Sequence, residues 1–495
     1  MSLLTPTMNE TLDRIQEWQE PLLKDLHQNP ELSMMEERTC GIVTERLTDL
    51  GYEVHQIGGG VVGVLANGEG RVVLHRADMD ALPIREDSGL DYASTATGTD
   101  LAGEQQPVMH ACGHDFHVAT GLGAAAVLAE NREDWSGTAV MLFQPGEEFG
   151  DGARTMVEAG LVGQVPTPEV CLSQHVLTEP AAGKVAVAEG PVLSTSQSMT
   201  VQVFGSGSHG SMPHLGVDPV VLAAKIIVSI QTLVSREIAP GEFGVVTVGS
   251  MHAGSSANVI PDSATLKLNF RAYSDEVLQL LVEGMERIVR AECEAAQSPR
   301  EPHFETIAEY PVTDNDPAAT AAVRSALVDH FGEDRVEEMD PATASEDFSI
   351  IPDAFGVPYC YWGFGGYAEG SEVLPNHSPK WAPDLQPTLR TGTEAATAAI
   401  LGCWPAGSDP GVRGPAVRAP GPPTGIHLLP RRSRSGHGVL PHPVDRYRIT
   451  ARLGACHRRH CRALQPSVAP GRAAARSCWA HRSRTGSAPT SRSAA

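Results

Sequence analysis

The sequence predicts an α/β protein: one discontinuous, mainly parallel-sheet domain with a compact α+β domain inserted into it. Three observations carry this expectation. Up to about Gly190, β-rich runs alternate with helix-compatible stretches, as parallel strands joined by helical crossovers do. Over 191–308 the pattern changes to half-exposed strands and two long helices. After Pro311 the first pattern resumes, so 1–190 and 309–404 are expected to form one domain around the insert.

Taken in order, 8–27 and 34–50 read as helices, the second stopped by Leu50-Gly51. Short strands follow at 61–66 and 71–76, and Gly113 to Glu130 is small, apolar and helix-compatible. Thr138 to Gln144 is a continuous apolar run that suits a strand buried on both faces. A helical stretch at 151–160 precedes a strand at 170–175. In the insert, 195–204 alternates polar and apolar residues, 218–236 and 275–294 are helices, and 245–249 and 264–271 are strands. Helix 316–331, strand 356–362 and helix 387–403 complete the outer domain.

The 495 residues carry 37 Lys+Arg, 60 Asp+Glu and a net charge of −23, but that figure averages two populations. From 405 to 495 there are 16 Arg, no Lys and two acidic residues, a net of +14. Residues 1–404 hold 21 basic and 58 acidic groups, a net of −37. So acidic a body opposes nucleic acid through its general field, and suits either high salt or an ordinary acidic enzyme. The Arg/Pro-rich tail reads as a disordered or spurious extension, or else as a basic binding arm. No run of about 18 apolar residues offers a membrane span. No secretory pattern opens the chain, and the nine cysteines are scattered without a C-x-x-C pair. A cytoplasmic protein with reduced thiols is expected.

Chemistry concentrates in three segments. Met109-His-Ala-Cys-Gly-His-Asp-Phe-His117 packs three imidazoles, a thiol and a carboxylate into a probable helix start, where Gly113 lets the backbone bend so that Cys112 and His114 face one point. Glu147 and Glu148 leave the end of the buried 138–144 strand. One such carboxylate can ligate a metal while its neighbour takes a proton from an activated water; a solvated pair at a helix start is the plainer reading. Asp80 follows the 72–74 strand, where sites of open α/β sheets collect, and could orient a ligating His through its far ring N–H; a turn Asp is the alternative. His175 and His377 add imidazoles at the same edge.

Together these segments resemble the M20 family of metallopeptidases, in particular its amidohydrolase branch of aminoacylases, hippurate hydrolases and indole-acetyl-amino-acid hydrolases. The resemblance rests on His27-Gln-Asn-Pro-Glu-Leu-Ser33, Arg76-Ala-Asp-Met-Asp-Ala-Leu-Pro83, Met109–His117 and Gln144–Glu148. It continues through Gly210–His214, Asn258–Asp262, Ser345-Glu-Asp-Phe348 and His377-Ser-Pro379, in order from about residue 20 to 404. It implies that Cys112, His114, Glu148, His175 and His377 hold two divalent metals, with Mn, Zn, Co and Ni all compatible. It makes Glu147 the general base, Asp80 the residue that orients a ligand, and the insert a dimerisation or lid domain. His209 or His214 would reach an active site, in this subunit or a second one, to stabilise the oxyanion. Asn258 and Arg271 would contact the amide and carboxylate of substrate. Gly146, Ser173-Gln174 and Ser208 depart from the branch's usual residues without removing a functional side chain.

The expected reaction is hydrolysis of the amide bond of N-acyl amino acids, or of small peptides, by a homodimer formed through 191–308. The alternatives are a non-catalytic relative that binds acylated ligands or a partner, nucleic-acid binding through the tail, and a cysteine hydrolase using Cys112.

Overall fold

The computed structural model describes residues 3–404, so the Arg/Pro-rich tail expected at 405–495 lies outside the described residues. An eight-stranded sheet forms the frame, in the order Glu53–Ile57, Gly60–Asn67, Gly137–Gln144, Val72–Asp78, Val170–Ala182, Tyr359–Gly365, Val185–Ala186, Val336–Glu337. Its four central strands run parallel, while antiparallel pairs occur toward both edges.

Central strands read as apolar runs because both faces are covered. On one face Val73, Ala77, Met141, Phe143 and Leu172 pack beneath the helices Pro6–Gln28, His114–Glu130, Pro317–Phe331 and Leu385–Cys403. On the other, Leu74, Val140, Leu142 and Cys171 meet the shorter helices Gly152–Glu158 and Ile350–Phe355. The first face is closed at one end by Trp404. Its indole stacks on Trp135 at 4.5 Å and 7° and donates to the Arg71 carbonyl at 2.9 Å.

The insert is a four-stranded antiparallel sheet, ordered Gly244–Ala253, Ser263–Ala272, Thr195–Phe204, His303–Tyr310. Two helices, Pro219–Thr232 and Asp275–Ala295, bury Leu222, Ile226, Ile230, Leu281, Met285 and Val289 against it. Asp218 and Ser274 cap their first turns, accepting from Val220 N at 2.8 Å and Val277 N at 3.3 Å. The segment Pro219–Glu237 is long and apolar enough to cross a membrane by length and composition alone, although its inner face packs on this sheet.

The sequence reading misses some elements. Strand His303–Tyr310 lies at the sheet edge with most residues exposed, so no apolar alternation marks it, and it runs two residues past the expected boundary at 308. Strand Glu53–Ile57 and the hairpin Thr97–Thr99/Gln105–Pro107 are likewise short, and Ile57 is the one buried residue among them.

Candidate metal centre and active site

The site forms where the parallel strands end, as open α/β sheets favour. Strand Val72–Asp78 delivers Asp78 and Asp80, strand Gly137–Gln144 leads into Glu147 and Glu148, and strand Val170–Ala182 carries His175. Gly113, at φ 86, turns the chain between Cys112 and the helix that starts at His114. A Cβ there would sit 2.3 Å from Val176 Cγ1, so close packing and backbone conformation both demand glycine. Gly146, at φ 61, plays the same part before the turn Glu147–Phe149, with its N–H held by Glu36 Oε1 at 2.8 Å.

Five side chains expected as ligands converge. Donor atoms of Cys112, His114 and His175 lie within 4.8 Å of one another, as do those of Cys112, Glu148 and His377 and those of His114, Glu147 and Glu148. Cys112 Sγ is 3.4 Å from His175 Nε2, and His377 Nε2 is 3.2 Å from Glu148 Oε1. The Ala111 carbonyl accepts from His377 N at 2.8 Å, which pins the late loop to the Cys112 segment.

The hydrogen bonds sort the three imidazoles of 110–117 by role. His117 uses both nitrogens: Nδ1 pairs with Asp78 Oδ1, and Nε2 accepts from Val176 N at 2.9 Å. His114 hydrogen-bonds only through Nδ1, 3.1 Å from Asp80 Oδ1, and its buried Nε2 makes no hydrogen bond, its nearest acid being Asp78 Oδ2 at 3.8 Å. His175 likewise bonds Val176 O through Nδ1 at 2.6 Å and turns Nε2 toward the sulfur. A buried unpartnered nitrogen is costly, so His114 Nε2 fits a ligand atom awaiting a cation. His110 is buried with Nδ1 unpartnered, and burial first of all lowers its pKa to about 4.

The electrostatics agree with that fit. Burial alone would raise the Cys112 thiol, yet His175, His114 and His377 outweigh it and hold it well below the ordinary range, which favours thiolate. Burial, followed by the nearby Cys112 sulfur, pushes Glu148 up to about 7. Glu147, raised well above the usual range by burial and then by Glu346 and Glu148, is a carboxylate in excess negative surroundings. Bound cations would relieve that excess. The mixed S, N and O donors suit several divalent metals.

Asp80 joins His114 to the turn at Glu148. Oδ1 faces His114, and Oδ2 accepts from Ser33 Oγ at 2.7 Å and Glu148 N at 3.0 Å. Asp78 was missed, although it sits two residues from Asp80 and closes a further donor group with His114 and His117. Also missed was the fully buried Arg76. Its guanidinium donates to Gln144 Oε1 at 2.9 Å, Asp78 Oδ2 at 2.7 Å and Glu346 Oε1 at 2.7 Å, and reaches Asp347 Oδ1 at 3.2 Å. A charged residue inside an apolar strand was the available signal.

The four insert residues do not join this cluster. His209 is exposed, its Nδ1 paired with Ser211 Oγ at 2.7 Å, and it lies beside Asn258, whose carbonyl accepts from Gly210 N at 2.8 Å. His214 stands exposed in the turn Pro213–Leu215. A cleft of about 620 Å³ opens here, lined by Gly210, Pro213, residues 253–257 and 259–261, but it belongs to the insert and not to the ligand cluster. No hydrogen bond, ion pair or ring contact among the described residues links His209, His214 or Asn258 to Cys112 or His114. Arg271 instead donates to Thr343 O at 2.6 Å and Ser345 Oγ at 3.0 Å.

Comparison with known proteins shows the family. Residues 74–401 match the model of peptidase family M20/M25/M40. Thermostable carboxypeptidase 2 of Saccharolobus solfataricus is 34% identical over 399 residues, covering 79% of this chain and 97% of that protein. Hippurate hydrolase of Campylobacter jejuni is 35% identical over 346 residues, 69% of this chain and 87% of its own. A Bacillus subtilis crystal structure described as a dinuclear metal-binding peptidase of the M20 family superposes with a TM-score of 0.64 at 27% identity, covering 79% of this chain and 98% of that one. With its ordered motifs, strand-end donor cluster and matched relatives, the chain belongs to peptidase family M20/M25/M40.

Proposed function

We propose that the protein is a metal-dependent amidohydrolase that cleaves the amide bond of N-acyl amino acids. The observation that carries this reading is the convergence of Cys112, His114, His175, Glu148 and His377, with Glu147 grouped beside His114 and Glu148. Cys112, His114, His175, Glu148 and His377 would hold two divalent ions, Cys112 being common to two of the donor groups. Such ions, when bound, supply Lewis acidity that polarises a carbonyl and acidifies water.

The chain's own residues do the rest. Asp80 fixes the His114 tautomer by taking its Nδ1–H, which keeps Nε2 available. Glu147 receives the proton of the attacking water and returns it to the departing amine nitrogen as the C–N bond breaks. A carboxylic acid and a free amino acid leave. Similarity to a carboxypeptidase supports short peptides as a second substrate class.

We further propose a cytoplasmic homodimer. The six cysteines of the described residues are unpaired, as a reducing compartment requires. Helix Pro219–Thr232 shows Val221 (53%) and Val228 (71%) to solvent, and strand Gly244–Ala253 ends the insert's sheet with an open edge. A second copy packed about a two-fold axis would cover both features at once.

A panel of N-acyl amino acids and dipeptides, offered to metal-stripped protein reloaded with Mn, Zn, Co or Ni, tests the reaction. Turnover is expected only after reloading, and equal turnover by the stripped protein overturns it in favour of a thiol hydrolase.

A further inference from the structure

We propose that Glu36 is a positioning residue, which sets the place of Glu147 by holding the left-handed turn at Gly146. The inference rests on the reading of Glu147 as the base.

Glu36 stands at the N-cap of helix Glu37–Asp49, yet its side chain makes no bond to that helix's first turn. Only 4% exposed, it reaches instead to the turn before Glu147, where Oε1 accepts from Met34 N at 2.9 Å and from Gly146 N at 2.8 Å. No ion pair engages it among the described residues, and burial, followed by the nearby Asp80 carboxylate, pushes its pKa up to about 8. A buried acid beside another acid, serving neither its own helix nor an ion pair, costs stability. What it supplies is one acceptor shared by two amides.

Both amides belong to unusual backbone turns. Met34 has φ 66, rare for a residue with a side chain, and Gly146 has φ 61. The two turns lie against each other, since a Cβ on Gly146 would sit 2.4 Å from Met34 Sδ. The loop that carries Met34 is itself anchored beside the site. Glu31 O accepts from Ala81 N at 2.8 Å, and Ser33 Oγ donates to Asp80 Oδ2 at 2.7 Å. Asp80 Oδ2 also accepts from Glu148 N at 3.0 Å. The amides on either side of Glu147 are thus held from one bracket, by Glu36 at 146 and by Asp80 at 148.

Without the Glu36 acceptor, Gly146 regains the wide torsional freedom of glycine one peptide before the base. A misplacement of about 1 Å there can cost on the order of 100-fold in rate. The competing role for Glu36 is electrostatic, its charge acting through space on Asp80 and the ligand cluster. Reach and charge separate the two roles. Glu36→Gln keeps the length and an acceptor oxygen without the charge. Glu36→Asp keeps the acid but is shorter by one carbon–carbon bond of about 1.5 Å, too short to serve both amides.

The test uses both variants as full-length, metal-loaded protein with an N-acyl amino acid. Glu36→Asp is expected to lose about 10- to 100-fold in kcat with KM and metal content nearly unchanged, whereas Glu36→Gln stays within about threefold of wild type. A loss in Glu36→Gln with Glu36→Asp near wild type overturns the proposal in favour of charge. Wild-type rates in both variants overturn it as well.

Hydrogen exchange without substrate gives an independent readout. The Gly146 amide should exchange about tenfold faster or more in Glu36→Asp and at the wild-type rate in Glu36→Gln, with strand Tyr359–Gly365 unchanged in both. In either variant, an amide that stays protected while kcat falls, or opens while kcat holds, overturns the proposal. Should the wild-type protein hydrolyse no N-acyl amino acid, the functional reading fails, and the exchange comparison alone decides whether Glu36 holds the turn.

Discussion

Two helices of similar composition lead opposite lives in this molecule. In His114–Glu130 every residue from His114 to Leu128 is buried, wedged between the main sheet and the helices Pro6–Gln28 and Leu385–Cys403. In Pro219–Thr232 only Pro219, Leu222, Ala223, Ile226 and Ile230 are buried, and valines stand in solvent. Apolar content alone thus does not say where a helix sits; the neighbours supplied by topology do. The first helix is enclosed by the described residues and carries His114 of the donor cluster at its first turn. The second leaves an apolar face that the described residues do not cover.

A charge placed on each helix separates these two situations most sharply. Ala125→Glu, at a fully buried position, should cost more than about 4 kcal/mol and deny a cooperative thermal transition; a normal melting profile would break the contrast. Next in size is Glu147→Gln beside the first helix. It should lower turnover by about 10²–10⁴-fold while metal content, read by elemental analysis, stays the same.

His27 ties that helix's first turn to the loop at Glu86, through Asp115 Oδ2 at 2.8 Å and Glu86 Oε1 at 3.1 Å. Burial lowers its pKa, but the bonds to Asp115 and Glu86 outweigh this and raise it to about 10. A raised pKa means that the stabilisation is complete below the ordinary imidazole value of about 6.5, shrinks above it, and is gone once pH passes about 10. His27→Gln should therefore lose roughly 2–4 kcal/mol at pH 6 and approach wild type above pH 10, as followed by denaturant unfolding across pH. A constant deficit at all pH values would show that packing, not charge, makes the difference. The smallest effect on folding is expected on the exposed helix. Val228→Glu should leave unfolding within about 0.5 kcal/mol of wild type yet weaken self-association by tenfold or more in sedimentation experiments.

Legibility in the sequence followed the same divide. The strand Gly137–Gln144 and the helix after Gly113 were visible because burial on all sides writes continuous apolar runs. Cys112, His114 and the Glu147–Glu148 pair were visible because so many ligating groups in short segments have few structural uses. Strand His303–Tyr310 was not, since an exposed edge imposes no periodicity. Spacing alone does not separate His114 from His117; only the resemblance does. Their roles depend on which nitrogen the backbone of Val176 and the carboxylates of Asp78 and Asp80 occupy, and those partners come from two different strands. Arg76 was overlooked for a related reason, because the carboxylates that justify burying it lie some 270 residues away at Glu346 and Asp347.

The stacked indoles of Trp135 and Trp404 have an optical consequence. Two chromophores 4.5 Å apart in nearly parallel planes mix their excited states, and in a chiral setting such mixing gives paired circular-dichroism bands of opposite sign. One ring follows the helix His114–Glu130 and the other follows Leu385–Cys403, so the band pair exists only while the two ends of the outer domain's sequence are docked. The band pair therefore allows that docking to be timed during refolding without any added label.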